Sequence, residues 1–304
     1  MVIVFHVAVL LAFPPLLLGV IGKTKAWFAG RRGAPLLQPY FDVVKCLRKA
    51  AVYSRTTTWV FRAGAVVPLA SALTAGLFLP LTSDRAPIAF TGDFVLFAYL
   101  LALGRFFTMA AALDTGSSFE GMGASREAAF SALTEPVLFL AFAALAVETG
   151  SLSLSGVVAT LAIDSWTPHA AALALAELAL FAVLLVEASR VPIDDPATHL
   201  ELTMIHEVMV LDHGGPDFGL ILYGSAVKLF VLATLIAGIA VASTPLAGPW
   251  AAAAALAGTV AIAAAIGAIE SSMARLRLAR VPQFIVAAGV LAGTALAILL
   301  TGSR

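Results

Sequence analysis

The chain has one cysteine in 304 residues, Cys46, and only 12% charged residues. A soluble domain carries about 25% charged residues. One thiol cannot ligate an iron–sulfur cluster, which takes about four. Lysine and arginine balance aspartate and glutamate at 18 each, so no basic surface for nucleic acid arises. There is no Gly-rich phosphate loop, no CxxC and no HExxH; His206-Glu207 is followed by Val210 where a second zinc-binding histidine would stand. Redox chemistry, if the chain takes part in it, belongs on another polypeptide.

What fills the chain is hydrophobic sequence: 61% of residues, with a mean hydropathy of +1.00. Apolar runs long enough for a bilayer core of about 30 Å predict eight spans. They cover residues 1–22, 59–82, 93–114, 127–148, 168–190, 219–243, 250–274 and 281–301. The predicted fold is all-α: a single polytopic membrane domain over 1–304, with short amphipathic helices on its cytoplasmic side. The first span lacks a basic n-region and runs straight into Lys23 and Lys25, unlike a cleavable leader. Its Pro14-Pro15 pair predicts a kink, either for packing or as the wall of a cavity.

Loop charges set the orientation. Residues 23–58 hold eight lysines and arginines, and 275–280 hold three, whereas the loops on the other side hold only Arg85. The loops at 23–58, 115–126, 191–218 and 275–280 are therefore cytoplasmic, and both termini lie outside.

Three cytoplasmic segments carry the chemistry. Within the first, GRRGAPLLQPYFDVVK is punctuated by Gly30, Gly33, Pro35 and Pro39. An amphipathic helix follows, with Tyr40, Val43, Val44 and Leu47 opposite Asp42, Lys45, Arg48 and Lys49. It is either a lipid-headgroup anchor or a docking surface. The second, DTGSSFEGMGASREAAF, reads as an irregular glycine-rich loop from Asp114, before span 4 opens at Ser125-Arg126-Glu127.

The third, LVEASRVPIDDPATHLELTMIHEVMVLDHGGPDF, gathers ten acids and histidines around the lone Arg190. Asp195-Pro196 reads as an N-cap and first helical position. A helix over 197–211 follows, ended by Gly214-Gly215-Pro216. At about 15 residues it is too short to cross, so the expectation is an amphipathic helix at the membrane surface. His199 and His206, two turns or about 10 Å apart, predict no metal site by themselves.

Charges also fall inside the spans: Arg105, Glu135, Glu177 and Lys228, with Asp114, Glu187 and Glu270 nearer the cytoplasmic ends. Such groups face protein and are paired. They are either structural ion pairs or a proton path. In the second case Glu135, Glu177, Glu187, Lys228, Asp114 and Glu270 are the relay groups, with Arg105 and Arg190 as countercharges. Glu187 and Arg190, three apart, are expected to pair on one helix face.

The first segment resembles the corresponding loop of the eight-helix membrane subunit shared by respiratory complex I and the group 4 nickel–iron (NiFe) hydrogenases, with Ala34 where a proline is more usual. Glu187, Arg190, Pro192 and Asp194 match the Glu-x-x-Arg-x-Pro-x-Asp opening of the complex I form. The continuation through Thr203-Met204 is similar to the hydrogenase and formate hydrogenlyase version. The resemblance implies a non-catalytic membrane subunit that couples electron transfer to proton or sodium translocation. It implies a NiFe centre and Fe–S clusters on partner chains and none on this one. Expected partners are the hydrogenase large and small subunits, an iron–sulfur subunit and antiporter-like membrane subunits, in the inner membrane.

The implied docking residues are Arg31, Arg32, Gln38, Asp42 and Lys45 in the first segment, and Glu120, Arg126 and Glu127 in the second. In the third they are Asp194, Asp195, His199, Glu201, His206 and Glu207. Alternatives are the quinone-site subunit of complex I, a passive anchor, or a stand-alone transporter. The last fits least, because the motifs lie in docking loops and not in broken mid-membrane helices.

Overall fold

The computed structural model describes residues 2–81, 85–161, 163–194, 204–246 and 248–302. Among them the regular structure is helical. Seven helices are long and apolar enough to cross a membrane, and the first two, bent by 41°, make an eighth span when taken together. The helices are α1 (Val2–Ala12), α2 (Pro14–Phe28), α3 (Gln38–Leu47), α4 (Trp59–Gly76), α5 (Asp93–Asp114), α6 (Ser118–Thr149), α7 (Leu154–Thr160), α8 (Ile163–Glu187), α9 (Gly215–Ala242), α10 (Pro249–Ser272) and α11 (Val281–Gly302). The face that bears α3 is called the loop face below.

The bend between α1 and α2 has a covalent cause. Pro14 and Pro15 occupy the first helical positions of α2 and lack the N–H groups that would bond Leu10 and Leu11. Carbonyls freed inside a bilayer need donors. Tyr223 of α9 donates to the Leu11 oxygen at 2.7 Å; the bend also turns the Leu16 N–H to the Phe13 oxygen at 3.0 Å, and Tyr40 of α3 donates to the Ala12 oxygen left by it.

α9 is the central helix, with Val227, Phe230, Val231, Ala233 and Ile239 all buried. α4 packs against both α5 and α9. Glycine allows the first of these contacts: a Cβ at Gly64 would lie 2.3 Å from the Ala111 Cβ. Opposite the loop face, buried Asp93 ties α5 to α7, accepting from Ser153 Oγ and Leu154 N at 2.8 Å each.

Three local expectations are corrected. α6 starts at Ser118, so the glycine-rich loop contracts to residues 115–117, with Gly116 turning the chain at φ +70°. Gly121 and Gly123 are helical, and Gly123 is where residues 205–208 press on α6; a Cβ there would lie 2.4 Å from Val208 Cγ1. α8 ends at Glu187, short of the expected 190, and Ser189 takes a left-handed φ of +50°. Finally, the surface helix expected over 197–211 is, in its described part, a single 3-10 turn at Glu207–Val210, buried within the bundle. Met204, Ile205, Val208, Met209 and Val210 are all less than a tenth exposed. Val208, Met209 and Val210 turn into the bundle, and only Glu207 and the preceding His206 stay partly accessible, so the segment does not lie as a helix on the surface. Asp195, His199 and Glu201 lie outside the described residues.

Candidate functional site

The site starts on α5. Arg105 lies nine residues, about 14 Å, inside the loop-face end of that helix. Its guanidinium pairs with Glu187 at the end of α8 and with Glu135 on α6. Lys228 of α9 stands 3.7 Å from the other Glu187 oxygen, which has no hydrogen-bond partner. Glu127, two helical turns before Glu135 on the same face of α6, joins Arg105 and Lys228 around a cavity of about 40 Å³. Two cations thus meet three carboxylates, Glu187 deeply buried and Glu135 partly accessible.

Nearer the loop face is a second group. Glu270 of α10, its side chain fully buried, lies 2.8 Å from Lys25 Nζ of α2 and 3.4 Å from Arg190 Nη1. Glu187 and Arg190 therefore do not pair with each other. The helix ends at Glu187, so the three-residue spacing no longer places them on one face, and each finds a partner on another helix. Asp194 accepts from the backbone N–H groups of Ile205 and His206, both at 3.1 Å, and faces Arg275 at 3.6 Å. These side chains border a cavity of about 310 Å³, to which Lys25, Arg190, Asp194, His206, Glu207 and Glu270 contribute the polar wall.

His206 borders both cavities. Burial, helped by the charge of Lys228, pushes its pKa down to about 3, so the ring is neutral at pH 7. His213 is also held neutral by burial. It stacks on Phe61 with centroids 3.9 Å apart, and its Nε2 bonds the Phe61 carbonyl oxygen at 3.1 Å.

Several expected docking residues point inward instead. Glu127 and His206 line the interior. Glu120 is buried and accepts from the Asp212 N–H at 3.1 Å, holding the 3-10 turn to α6. Arg126 donates to the Met204 carbonyl at 2.8 Å. Glu207 borders the larger cavity. Arg31, Arg32, Asp42 and Lys45 do lie at the surface, and Gln38 spans one turn of α3 to Asp42 at 2.8 Å.

Two expected relay groups stand apart. Asp114 caps α4, accepting from Thr58 N at 2.6 Å and Phe61 N at 3.2 Å. Glu177 lies ten residues, about 15 Å, along α8 from Glu187, with one carboxylate oxygen buried and without a hydrogen-bond partner. Lys25 is a site residue that sequence reasoning misses, although it continues the Leu18 and Ile21 stripe of α2. Glu127 is expected only for docking, although it repeats at i, i+4, i+8 with Ser131 and Glu135. Among the described residues, no three histidine, cysteine or acidic side chains converge as a metal site would require.

The sequence model of the family described as NADH dehydrogenase matches residues 1–301. The chain is 32% identical over 282 residues to formate hydrogenlyase subunit 4 of Escherichia coli, covering 90% of each. It is 34% identical to hydrogenase-4 component C of the same organism, over 75% of this chain and 70% of that one. It is 30% identical to a chain of the NADH-quinone oxidoreductase of Rubrobacter xylanophilus, over 57% and 52%. A chain of the membrane-bound sulfane sulfur reductase, an archaeal respiratory membrane complex, superposes with a TM-score of 0.82 over 97% of both chains at 22% identity, a likeness of fold.

Proposed function

The chain belongs to the NADH dehydrogenase family, and on that premise we propose that it is the membrane subunit of a hydrogenase-type, formate hydrogenlyase-like redox complex. It anchors a peripheral arm that carries the NiFe centre and Fe–S clusters, and it couples electron transfer to proton or sodium movement. Its neighbours are the large and small hydrogenase subunits, an iron–sulfur subunit and antiporter-like membrane subunits. It sits in the inner membrane with the loop face cytoplasmic and both termini outside.

One observation carries the coupling reading: ionisable groups line two cavities that lie inward from the loop face and share wall residues. Glu270 and Asp194 border the larger cavity, Glu127 and Lys228 border the smaller one, Glu187 stands beside Lys228, and Glu135 lies beyond Arg105. The roles differ by chemistry. Arginine keeps its proton, so Arg105 and Arg190 are fixed countercharges. Lysine and glutamate can change charge when buried, so Glu127, Glu135, Glu187, Glu270 and Lys228 pass protons. Glu177, about 15 Å further along α8 and not in contact with this cluster, is the next acid a path along that helix would reach. A passive anchor needs only matched pairs, whereas here the inner cluster has one carboxylate more than its cations.

The exposed residues Arg31, Arg32, Asp42 and Lys45, with Gln38, form the docking surface for the arm. The inward residues of the second and third segments support it from below.

The test is Glu187→Gln in the whole complex, reconstituted into vesicles. Arg105 keeps Glu135 as a partner in this variant, and at equal subunit content the expected result is proton translocation lowered about tenfold or more. Wild-type translocation at normal subunit content would overturn the coupling reading.

A further inference from the structure

We propose that His206 is the group that passes protons between the two cavities, an inference that rests on the proton-path reading above. Among the described residues, three border both spaces: His206, Ile221 and Ser225. Ile221 carries no exchangeable proton. The Ser225 hydroxyl is committed to the Leu222 carbonyl at 2.9 Å. His206 has a buried ring nitrogen, Nδ1, with no hydrogen-bond partner among the described residues. An orphaned nitrogen in a polar, buried setting is costly unless it has a use.

The backbone sets the position of this ring. Asp194 accepts the N–H groups of both Ile205 and His206, and is itself set by Arg275. The turn that carries His206 is packed against Gly123 of α6 so closely that no larger residue fits there. The backbone at residue 206 is therefore held where the side chain lines both cavities, the larger with Glu270 and Asp194 and the smaller with Glu127 and Lys228, while the ring stays free to turn.

The transfer balances simply. One ring nitrogen takes a proton from water or a carboxylic acid in the larger cavity. The other releases its own proton to the Glu127 carboxylate or to water in the smaller one. One proton crosses, no electrons move, and the neutral ring resets by rotation or tautomer return. The charge of Lys228 keeps the doubly protonated ring transient, so the histidine passes protons and does not store them.

The experiment uses the whole complex in proteoliposomes, measuring proton translocation driven by its own electron transfer. Wild type, His206→Gln, His206→Asn, His206→Ala and Glu187→Gln are compared, with and without free imidazole. The expected result is normal subunit content, an about tenfold or greater loss in each His206 variant, and recovery with imidazole in His206→Ala alone. Wild-type translocation in assembled His206→Gln, with Glu187→Gln deficient, would overturn this proposal and leave the coupling reading standing. Wild-type translocation in both would overturn the coupling reading and this proposal with it. Loss of assembly in all three His206 variants, or a loss that imidazole does not restore in assembled His206→Ala, would assign the ring a packing role and overturn the proposal.

Discussion

Arg105 holds Glu187 with one arm of its guanidinium and Glu135 with the other, tying α5 to the end of α8 and to α6. The side chains of Arg105 and Glu187 are nearly inaccessible to solvent, at 6% and 3%. Removing one partner of a buried pair strands the other, at about 3–5 kcal/mol. Arg105→Gln is expected to lower stability by that order, seen as a drop in the melting temperature of the purified complex. Arg105→Lys recovers only part, because a single ammonium cannot fork to two carboxylates. The double variant Arg105→Gln/Glu187→Gln is expected to melt above the Arg105→Gln single variant, since the deeply buried Glu187 carboxylate is no longer left without its arginine.

The proline break makes an independent prediction. Tyr223 bonds a carbonyl that Pro15 left without its helical donor. Tyr223→Phe keeps the ring and removes the hydroxyl. A carbonyl left unpaired in a bilayer, away from water, costs about 1–3 kcal/mol or more. The variant is expected to unfold earlier by that amount, while a second substitution, Pro15→Ala, restores the helical N–H and recovers most of the loss. Equal stability of Tyr223→Phe and wild type would show that water or another donor serves Leu11.

How far the sequence announces this architecture depends on the element. Spans made of unbroken apolar runs, such as α9 and α11, are legible because a bilayer demands their length and composition. The Pro14-Pro15 break is legible because proline lacks an N–H. That its freed carbonyls are met by Tyr40 and Tyr223 is not, since those tyrosines are 28 and 212 residues away. The charged site is legible as a list of residues but not as a set of pairs. Arg105 and Glu135 could be grouped by depth alone. Glu187 could not be matched to Arg105, because it required knowing that α8 ends below the surface. The segment 204–213 misled most: charge beside an apolar stripe suggested a surface helix, whereas its apolar residues fill the bundle and pull His206 and Asp194 inside with them.

Two histidines outside the spans, His206 and His213, respond to acid in the same sense. His206 has its pKa lowered from 6.5 to about 3, and His213 is lowered as well, both chiefly by burial. Below pH 6.5 the unfolded chain binds protons that the folded one refuses, so stability falls as pH falls. The contribution is complete above about pH 6.5 and is lost progressively below it, at most about 1.4 kcal/mol per pH unit for each histidine. The histidine share of the change in melting temperature between pH 7.5 and 5 is expected to be a decline below 6.5. His206→Asn should flatten that decline; an unchanged slope would mean that the ring is not held neutral in the folded protein.

Glu177 separates a strut from a conductor. An acid held as a strut has a cation, and its neutralisation strands that cation. The described residues offer Glu177 no such partner, and one of its oxygens is buried without a hydrogen bond. Its neighbours Ala174 and Leu178 on α8 are exposed, so it lies at the edge of the bundle, where an unpaired carboxylate is costly in a bilayer. Glu177→Gln removes that cost while keeping the shape. The variant is expected to assemble normally and to melt at or slightly above the wild-type temperature. A proton path that runs along α8 loses a member in the same variant, so translocation in vesicles is expected to fall about tenfold or more. The two readouts move in opposite directions only if the carboxylate is there to conduct. A lower melting temperature with translocation unchanged would make Glu177 a strut, and the path would then end at Glu135.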